Sequence, residues 1–135
     1  MQRWNGWGDE AIEMALPPAA EALLENMVGK AAPPENIDRD EMIAGVPEAK
    51  IPEPPEEVAD LITTAAADRL DHAHGQSMPD WVGMRFGTLS RFPDAVAYPA
   101  AESELESVLE YAERHQMIVV PYGGGTSVVG HLDVP

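Results

Sequence analysis

The chain has 135 residues, of which 44% are apolar, and this is enough for one modest domain with a core. Its 24 acidic residues outnumber eight basic ones, and the resulting net charge of −16 disfavours binding to nucleic acids and anionic membranes. The chain has no cysteine, which excludes disulfides and thiolate metal sites. No apolar leader or membrane-length run is visible in the sequence, which predicts a cytoplasmic protein.

Proline interrupts the first 54 residues, which are predicted to form a helical N-terminal extension. Residues 18–28 place apolar side chains on one helical face, and Gly29 follows as a C-terminal stop. The members of that face are Ala20, Leu23, Leu24, Met27 and Val28. Residues 30–54 are rich in Pro, Glu, Asp and Ala, which predicts an extended connector.

Residues 55–91 are predicted to form one helix and then an irregular packed segment. Proline suits the first position of a helix, so the helix is expected to begin at Pro55 and to end near His74-Gly75. Its apolar face comprises Val58, Leu61, Ile62, Ala65 and Ala66. The irregular segment, residues 76–94, contains two glycines among Trp81, Met84, Phe86 and Phe92.

Residues 92–135 predict a strand–helix–strand unit, so the fold class is mixed α/β with a helical N-terminal extension. The strands are residues 95–98 and 117–120, and the helix between them begins at a capping box formed by Ser103 and Glu106. The crossover is expected to be right-handed. Ligands of such units bind beyond the carboxyl ends of the strands, where a glycine-rich loop follows residue 120.

This loop, Pro121-Tyr122-Gly123-Gly124-Gly125-Thr126-Ser127, predicts a phosphate site. Its glycines permit close approach of a ligand, and consecutive main-chain amides can form an anion-binding concavity. Because the chain is so acidic, a phosphate here is expected to depend on main-chain dipoles rather than on lysines. A glycine-rich turn that binds nothing remains the alternative.

Two common phosphate loops are excluded by their spacing. Gly125 and Gly130 have the separation found in a P-loop, but His131 and Leu132 follow where Lys and Ser/Thr are required. A Rossmann loop requires a third glycine where this chain has Val128.

The sequence resembles a known flavoprotein family in several separate motifs. Phe92-Pro93-Asp94-Ala95-Val96, Tyr98-Pro99 and the glycine loop resemble the FAD-binding domain of the vanillyl-alcohol-oxidase (PCMH) type. Trp4-Asn5-Gly6-Trp7-Gly8, Asp68-Arg69, Ala73-His74-Gly75 and Arg91-Phe92-Pro93-Asp94 resemble the narrower family of alkyldihydroxyacetonephosphate synthases. The resemblance extends over nearly the whole chain and identifies it as an N-terminal fragment of such an enzyme.

The resemblance implies that the loop contacts the FAD pyrophosphate, with contacts at Pro121, Tyr122, Gly123, Gly124, Gly125, Thr126 and Ser127. The flavin is expected to be non-covalent, since Gly125 stands where some members have a flavin-linked histidine. The family exchanges the acyl group of a lipid phosphate for a fatty alcohol through a flavin N5 adduct. Its catalytic residues match no position in this chain, so no catalytic residue is assigned, and homodimerisation of the complete enzyme stays open.

Two other functions remain open: an FAD-linked D-2-hydroxy-acid oxidase or dehydrogenase, and a truncated, non-catalytic acidic module that binds no cofactor. The half-domain alone is expected to bind FAD weakly or not at all. His72 and His74 are spaced by two residues, which does not place them on one helical face, so no metal site is assigned to them. His131 is close enough in sequence to approach a phosphate, although an ordinary loop histidine is the simpler interpretation.

Overall fold

The computed structural model describes residues 3–9, 11–32, 36–130 and 132. These residues form helices and a two-stranded antiparallel sheet, which confirms the mixed α/β class. No helix in this part of the chain is long and apolar enough to cross a membrane. The elements are α1 (Pro18–Val28), α2 (Arg39–Ala44), α3 (Glu56–Ala59), β1 (Ile62–Thr63), α4 (Ala66–Asp71), α5 (Met78–Phe86), β2 (Val96–Ala97) and α6 (Glu102–Arg114).

Helix α1 has the predicted bounds, but its apolar face is not part of a core. Gly29 ends the helix with a φ of 89°, a conformation that glycine adopts without strain. None of the residues of α1 is buried against the described part of the chain, and Met27 is 72% exposed. Helical periodicity therefore predicted the element correctly without predicting its packing.

Helix α2 was missed, because residues 30–54 were predicted to be only an extended connector. Asp38 caps α2 by accepting a hydrogen bond from the amide of Asp40 at 2.8 Å. Met42 is buried near the end of α5, where a Cβ at Gly87 would lie 3.7 Å from its sulfur. The amide of Ile37 also donates to the carbonyl oxygen of Arg85 at 2.9 Å. This part of the connector is therefore packed against α5.

The single helix predicted from Pro55 to residue 74 is wrong: the structure has α3, β1 and α4 in its place. Pro55 is the N-cap of α3 rather than its first residue. The Thr63 hydroxyl donates to Asp68 at 2.9 Å and accepts from the Ala65 amide at 3.1 Å. These local bonds compete with a continuous helix, and the β-branched pair Ile62-Thr63 favours a strand.

Helix α5 replaces much of the segment that was predicted to be irregular. Ser77 and Asp80 form a capping box, in which Ser77 Oγ accepts from the Asp80 amide at 3.2 Å and Asp80 accepts from the Ser77 amide at 3.0 Å. Gly87 ends the helix in the left-handed conformation, with a φ of 66°.

Strand β2 and helix α6 confirm the first two elements of the predicted strand–helix–strand unit, but the helix is capped differently. Glu104, rather than Glu106, reaches back to accept from the amides of Ala100 and Ala101 at 2.7 and 3.2 Å. Ser103 lies inside the helix, so the predicted capping box of Ser103 and Glu106 is wrong.

The second predicted strand, residues 117–120, is not formed, and β2 pairs with β1 in an antiparallel register of Ile62 with Ala97 and Thr63 with Val96. Within the described ranges, residues 117–120 pair with neither strand of the sheet, and Ile118 is 73% exposed. A strand depends on hydrogen bonds to a neighbour, so the apolar run alone does not define one.

The core around α6 is built from Val58, Val108 and Tyr111, with partly buried Leu61 and Ile62 beside them. The hydroxyl of Tyr111 donates to the carbonyl oxygen of Pro52 at 2.6 Å. This bond fixes the end of the N-terminal extension to α6.

A buried arginine in α4 joins this helix to two other segments of the chain. Arg69, only 2% exposed, donates from Nε to the carbonyl oxygen of Pro93 and from Nη1 to that of Pro47, both at 2.7 Å. A buried guanidinium is tolerated when such acceptors satisfy its donors. Arg69 therefore holds α4, residue 47 and the segment before β2 together.

Candidate functional site

The glycine loop lies along an open cleft of about 480 Å³. This volume is within the range of small-molecule sites, roughly 300–1,000 Å³. The lining comes from the N-terminal residues, α2, the end of α4, the turn between α4 and α5, and the loop itself. The lining residues are Arg3, Trp4, Arg39, Asp71, His72, His74, Gln76, Tyr122, Gly123, Gly124 and Gly125.

Four of the seven loop residues predicted to contact a cofactor line this cleft, namely residues 122–125. Pro121, Thr126 and Ser127 are outside the lining. Among the described residues, the main-chain amides of Gly123, Gly124 and Gly125 have no hydrogen-bond partner. Three consecutive unpaired donors on a cleft are suited to an anion.

The three glycines have different structural requirements. A Cβ at Gly123 would meet no atom within 4 Å, and at Gly124 it would meet only the Thr126 methyl group at 3.7 Å. Gly125 has a φ of 64°, and a Cβ there would lie 2.7 Å from Cζ of Tyr122. The fold therefore requires glycine at 125, whereas glycine at 123 and 124 leaves free space for a ligand.

The start of the loop is attached to the end of α4 through Tyr122. Its hydroxyl donates to the main-chain carbonyl of Asp71 at 3.0 Å, and its ring centroid lies 4.4 Å from that of His72. The His72 ring also meets Tyr98 edge-on at 5.6 Å. Burial raises the pKa of the Tyr122 hydroxyl, and the negative charge of Asp71 adds to this effect. The neutral, hydrogen-bonding form of Tyr122 is therefore favoured.

The end of the loop is attached to the turn between α4 and α5. The carbonyl oxygen of Ser127 accepts from the Gln76 amide at 2.6 Å. A Cβ at Gly75 would lie 2.5 Å from that same oxygen, so only glycine permits this approach. The Ala73-His74-Gly75 motif thus has a structural role in placing the loop.

The two neighbouring histidines make separate contacts. Nδ1 of His72 is 2.7 Å from the carbonyl oxygen of Asp68, and Nδ1 of buried His74 is 3.1 Å from that of Gly75. Because each acceptor is a carbonyl, each Nδ1 carries the hydrogen. His131, the third histidine considered in the sequence, lies outside the described residues.

Arg3 and Arg39 were not predicted as site residues, yet both line the cleft. Nη2 of Arg39 contacts both carboxylate oxygens of Asp71, at 2.9 and 2.8 Å. Nη2 of Arg3 donates to the carbonyl oxygen of Ile12 at 2.7 Å. The sequence predicted that a phosphate here would depend on main-chain dipoles rather than on lysines, and no lysine among the described residues lines the cleft, whereas these two arginines do. The sequence offered one indication of Arg3 and Arg39: the chain has only eight basic residues, so each one is a candidate for an anion site.

The N-terminal Trp-Asn-Gly-Trp-Gly motif brings Arg3 and Trp4 to the cleft by folding back on itself. The Arg3 amide donates to the carbonyl oxygen of Gly8 at 2.9 Å, which closes the turn. Trp7 meets Trp81 of α5 edge-on, with centroids 6.2 Å apart. This contact between Trp7 and α5 sets the position of the motif.

Proteins similar to this chain include members of the family that its sequence motifs resemble. The chain is 28% identical to an alkyldihydroxyacetonephosphate synthase of Caenorhabditis elegans, over 98% of this chain and 26% of the relative. A solved structure of alkyldihydroxyacetonephosphate synthase in space group P1 has a TM-score of 0.69 at 22% identity, covering 96% of this chain and 29% of that one. A mitochondrial D-lactate dehydrogenase [cytochrome] of Arabidopsis thaliana is 32% identical over 56% of this chain and 12% of its own length. No protein-family model matches.

These matches define first the fold, which is that of part of a solved alkyldihydroxyacetonephosphate synthase. They also confirm the family resemblance in the sequence: the chain is similar, along almost its entire length, to part of the alkyldihydroxyacetonephosphate synthases. The chain spans about a quarter of the length of the curated relative.

Proposed function

We propose that this chain forms the pyrophosphate-binding part of an FAD-dependent enzyme related to the alkyldihydroxyacetonephosphate synthases. The observation that carries the proposal is the row of three unpaired amides at Gly123, Gly124 and Gly125, which lies on an open cleft. Free space beside Gly123 and Gly124 supports close approach of a phosphate to the main chain.

The residues present fit a dinucleotide. The amides of residues 123–125 would hold the pyrophosphate, while Tyr122 and Ser127 fix the two ends of the loop through Asp71 and Gln76. FAD, when bound, supplies the flavin ring on which the chemistry takes place. The residues of this chain bind and orient the cofactor, and no catalytic residue is proposed among them. Gly125 stands where some members of the resembled superfamily have a flavin-linked histidine, so we propose a non-covalent flavin.

For the complete protein, we propose the exchange of an acyl group for a fatty alcohol on a lipid-phosphate substrate, which forms an ether-lipid precursor. This proposal rests on the similarity to alkyldihydroxyacetonephosphate synthases over 98% of the chain. A cytoplasmic location and a homodimeric complete enzyme belong to the same proposal.

A second candidate function is an FAD-linked D-2-hydroxy-acid dehydrogenase. The similarity to a D-lactate dehydrogenase over 56% of the chain favours it. The same loop would serve the cofactor in both enzymes, so the loop does not distinguish their substrates. The third alternative, an acidic module without a cofactor, is separated from both by a binding measurement.

The test is a calorimetric titration of the chain with FAD, repeated on Gly124→Val. We expect saturable binding weaker than micromolar, since this chain alone contributes only part of the site, and we expect the variant to lose it. Valine meets free space at this position, so the unfolding midpoint of the variant serves as the control and should not change. Equal FAD binding by the wild-type chain and a folded Gly124→Val would refute the proposal. If this chain alone binds no FAD, the same comparison is made on the flavin content of the complete protein, where equal content in the two forms would refute it.

A further inference from the structure

The cleft contains two of the eight basic residues of a strongly acidic chain. Arg39 comes from α2 and Arg3 from the N-terminal turn, and both line the same cleft as the glycine amides. Neither belongs to the glycine loop. An arginine carries a planar fork of donors whose geometry matches phosphate oxygens.

We propose that Arg39 and Arg3 bind the diphosphate group together with the amides of residues 123–125. We further propose that the Asp71 carboxylate holds Arg39 at the cleft until the ligand replaces it. The inference rests on the proposed function, and it adds to that function two side-chain ligands from the N-terminal extension.

The contacts of Arg39 support this exchange. Only its Nη2 is engaged, with Asp71, and its Nε and Nη1 have no partner in the part of the chain that the structure describes. The pair is partly open to solvent, with the Arg39 and Asp71 side chains 35% and 46% exposed. A solvated ion pair of this kind is weak enough to be displaced by a more highly charged anion.

The hydrogen bonds of Arg3 go to main-chain oxygens. The guanidinium donates to the main-chain oxygens of Asp9 and Ile12, at 3.3 and 2.7 Å, rather than to a carboxylate. These bonds fix the direction of the side chain, and its positive charge acts both on the cleft that it lines and on the Asp9 carboxylate.

A purely structural role for the ion pair of Arg39 and Asp71 would lead to different effects of substitutions on anion binding. If the contact between Arg39 and Asp71 only joined α2 to α4, removal of either charge would weaken the site in the same direction. If Arg39 is an anion ligand, loss of its charge weakens binding, whereas loss of the competing Asp71 carboxylate strengthens it. Asp71→Asn leaves the Tyr122 bond in place, because Tyr122 uses the main-chain oxygen.

The experiment is a titration of the 135-residue chain with ADP at low ionic strength. ADP is chosen because it carries a diphosphate without the flavin. We expect Arg39→Gln to weaken binding by about tenfold and Arg3→Gln to weaken it by a similar factor. We expect Asp71→Asn to tighten binding by roughly two- to fivefold. The controls Arg114→Gln and Asp60→Asn make the same charge changes at residues that do not line the cleft, and they should stay within about twofold.

Several results would overturn the inference: no ADP binding by the wild-type chain at millimolar concentration, no weakening in Arg39→Gln, or equal weakening in Arg39→Gln and Asp71→Asn. A parallel titration with FAD separates this inference from the proposed function. Loss of FAD binding in Gly124→Val but not in Arg39→Gln would keep the function and reject the role of the arginine. The expected ADP pattern together with a complete protein that retains no FAD would keep the arginine site and reject the flavin function.

Discussion

Gly124 and Gly125 are adjacent in the loop, yet the fold requires glycine at only one of them. Gly125 has a left-handed φ of 64° and lies against Tyr122, whereas Gly124 faces open space. The sequence identified the glycine loop and predicted its ligand class, but it did not distinguish the roles of these two glycines. The difference arises because the ring of Tyr122 lies against Gly125, three residues further along the chain. No local sequence pattern predicts that contact.

This difference predicts that two neighbouring substitutions have unequal effects on stability. Gly125→Val should lower the free energy of unfolding by at least about 1–2 kcal/mol, because valine disfavours a left-handed φ and would clash with Tyr122. Gly124→Val should change it by less than about 0.5 kcal/mol. Urea denaturation followed by circular dichroism measures both. Equal losses in the two variants would contradict the assignment.

Tyr122 predicts a loss of stability at alkaline pH. Burial raises its pKa in the folded chain, so folding favours the neutral phenol. Its contribution is full below the pKa of an unfolded tyrosine, about 10, and is lost as the pH rises through the higher folded value. Burial also raises the pKa of Tyr98 and Tyr111, which add to the loss.

The measurement is the free energy of unfolding between pH 8 and 11 for the wild-type chain and Tyr122→Phe. The variant should lose about 0.5–1.5 kcal/mol at neutral pH with its hydrogen bond to Asp71, and its decline with pH should be shallower. An unchanged alkaline slope would show that Tyr122 does not contribute to it.

At the scale of elements, long periodic helices were predictable and short ones were not. Helices α1 and α6 have 11 and 13 residues, long enough for a clear apolar pattern. Helices α3 and α4 have four and six residues, and with β1 they merged into one predicted helix. Their boundaries depend on the hydroxyl contacts of Thr63 and on pairing with β2, which is distant in sequence.

Helix α5 was missed although its sequence contains a complete capping box. Ser77 and Asp80 satisfy each other's main-chain amides, so Ser77→Ala should cost about 0.5–2 kcal/mol of unfolding free energy. Ser107→Ala is the matched control: its hydroxyl donates to the carbonyl oxygen of Ser103 inside α6 and caps nothing. Thermal and urea denaturation compare the two, and a control that loses as much as Ser77→Ala would contradict the role of the cap.

Tyr111 joins α6 to the N-terminal extension, and this contact is also measurable. Tyr111→Phe keeps the packing of the ring against Val58 and Val108 but leaves the carbonyl oxygen of Pro52 without its donor. We expect a loss of about 1 kcal/mol in the free energy of unfolding. A neutral substitution would show that water replaces the hydroxyl without cost.

At the scale of the molecule, the cleft brings together segments that are far apart in sequence. Residues 3–4, α2, the end of α4 and the glycine loop all contribute to its lining. The sequence motifs identified several of these segments separately, but Arg39 belongs to none of them. Its place at the cleft follows from the packing of α2 against α4 and α5, and long-range packing of this kind cannot be inferred from a single sequence.

The most direct measurement of the central claim is an amide NMR titration of the chain with FAD. The claim is that the main-chain amides of Gly123, Gly124 and Gly125 bind the pyrophosphate. We predict that these three resonances shift the most and saturate together, while Gly29 and Gly45, which do not line the cleft, stay in place. Saturable binding of FAD that leaves the three loop glycines unmoved would contradict the claim.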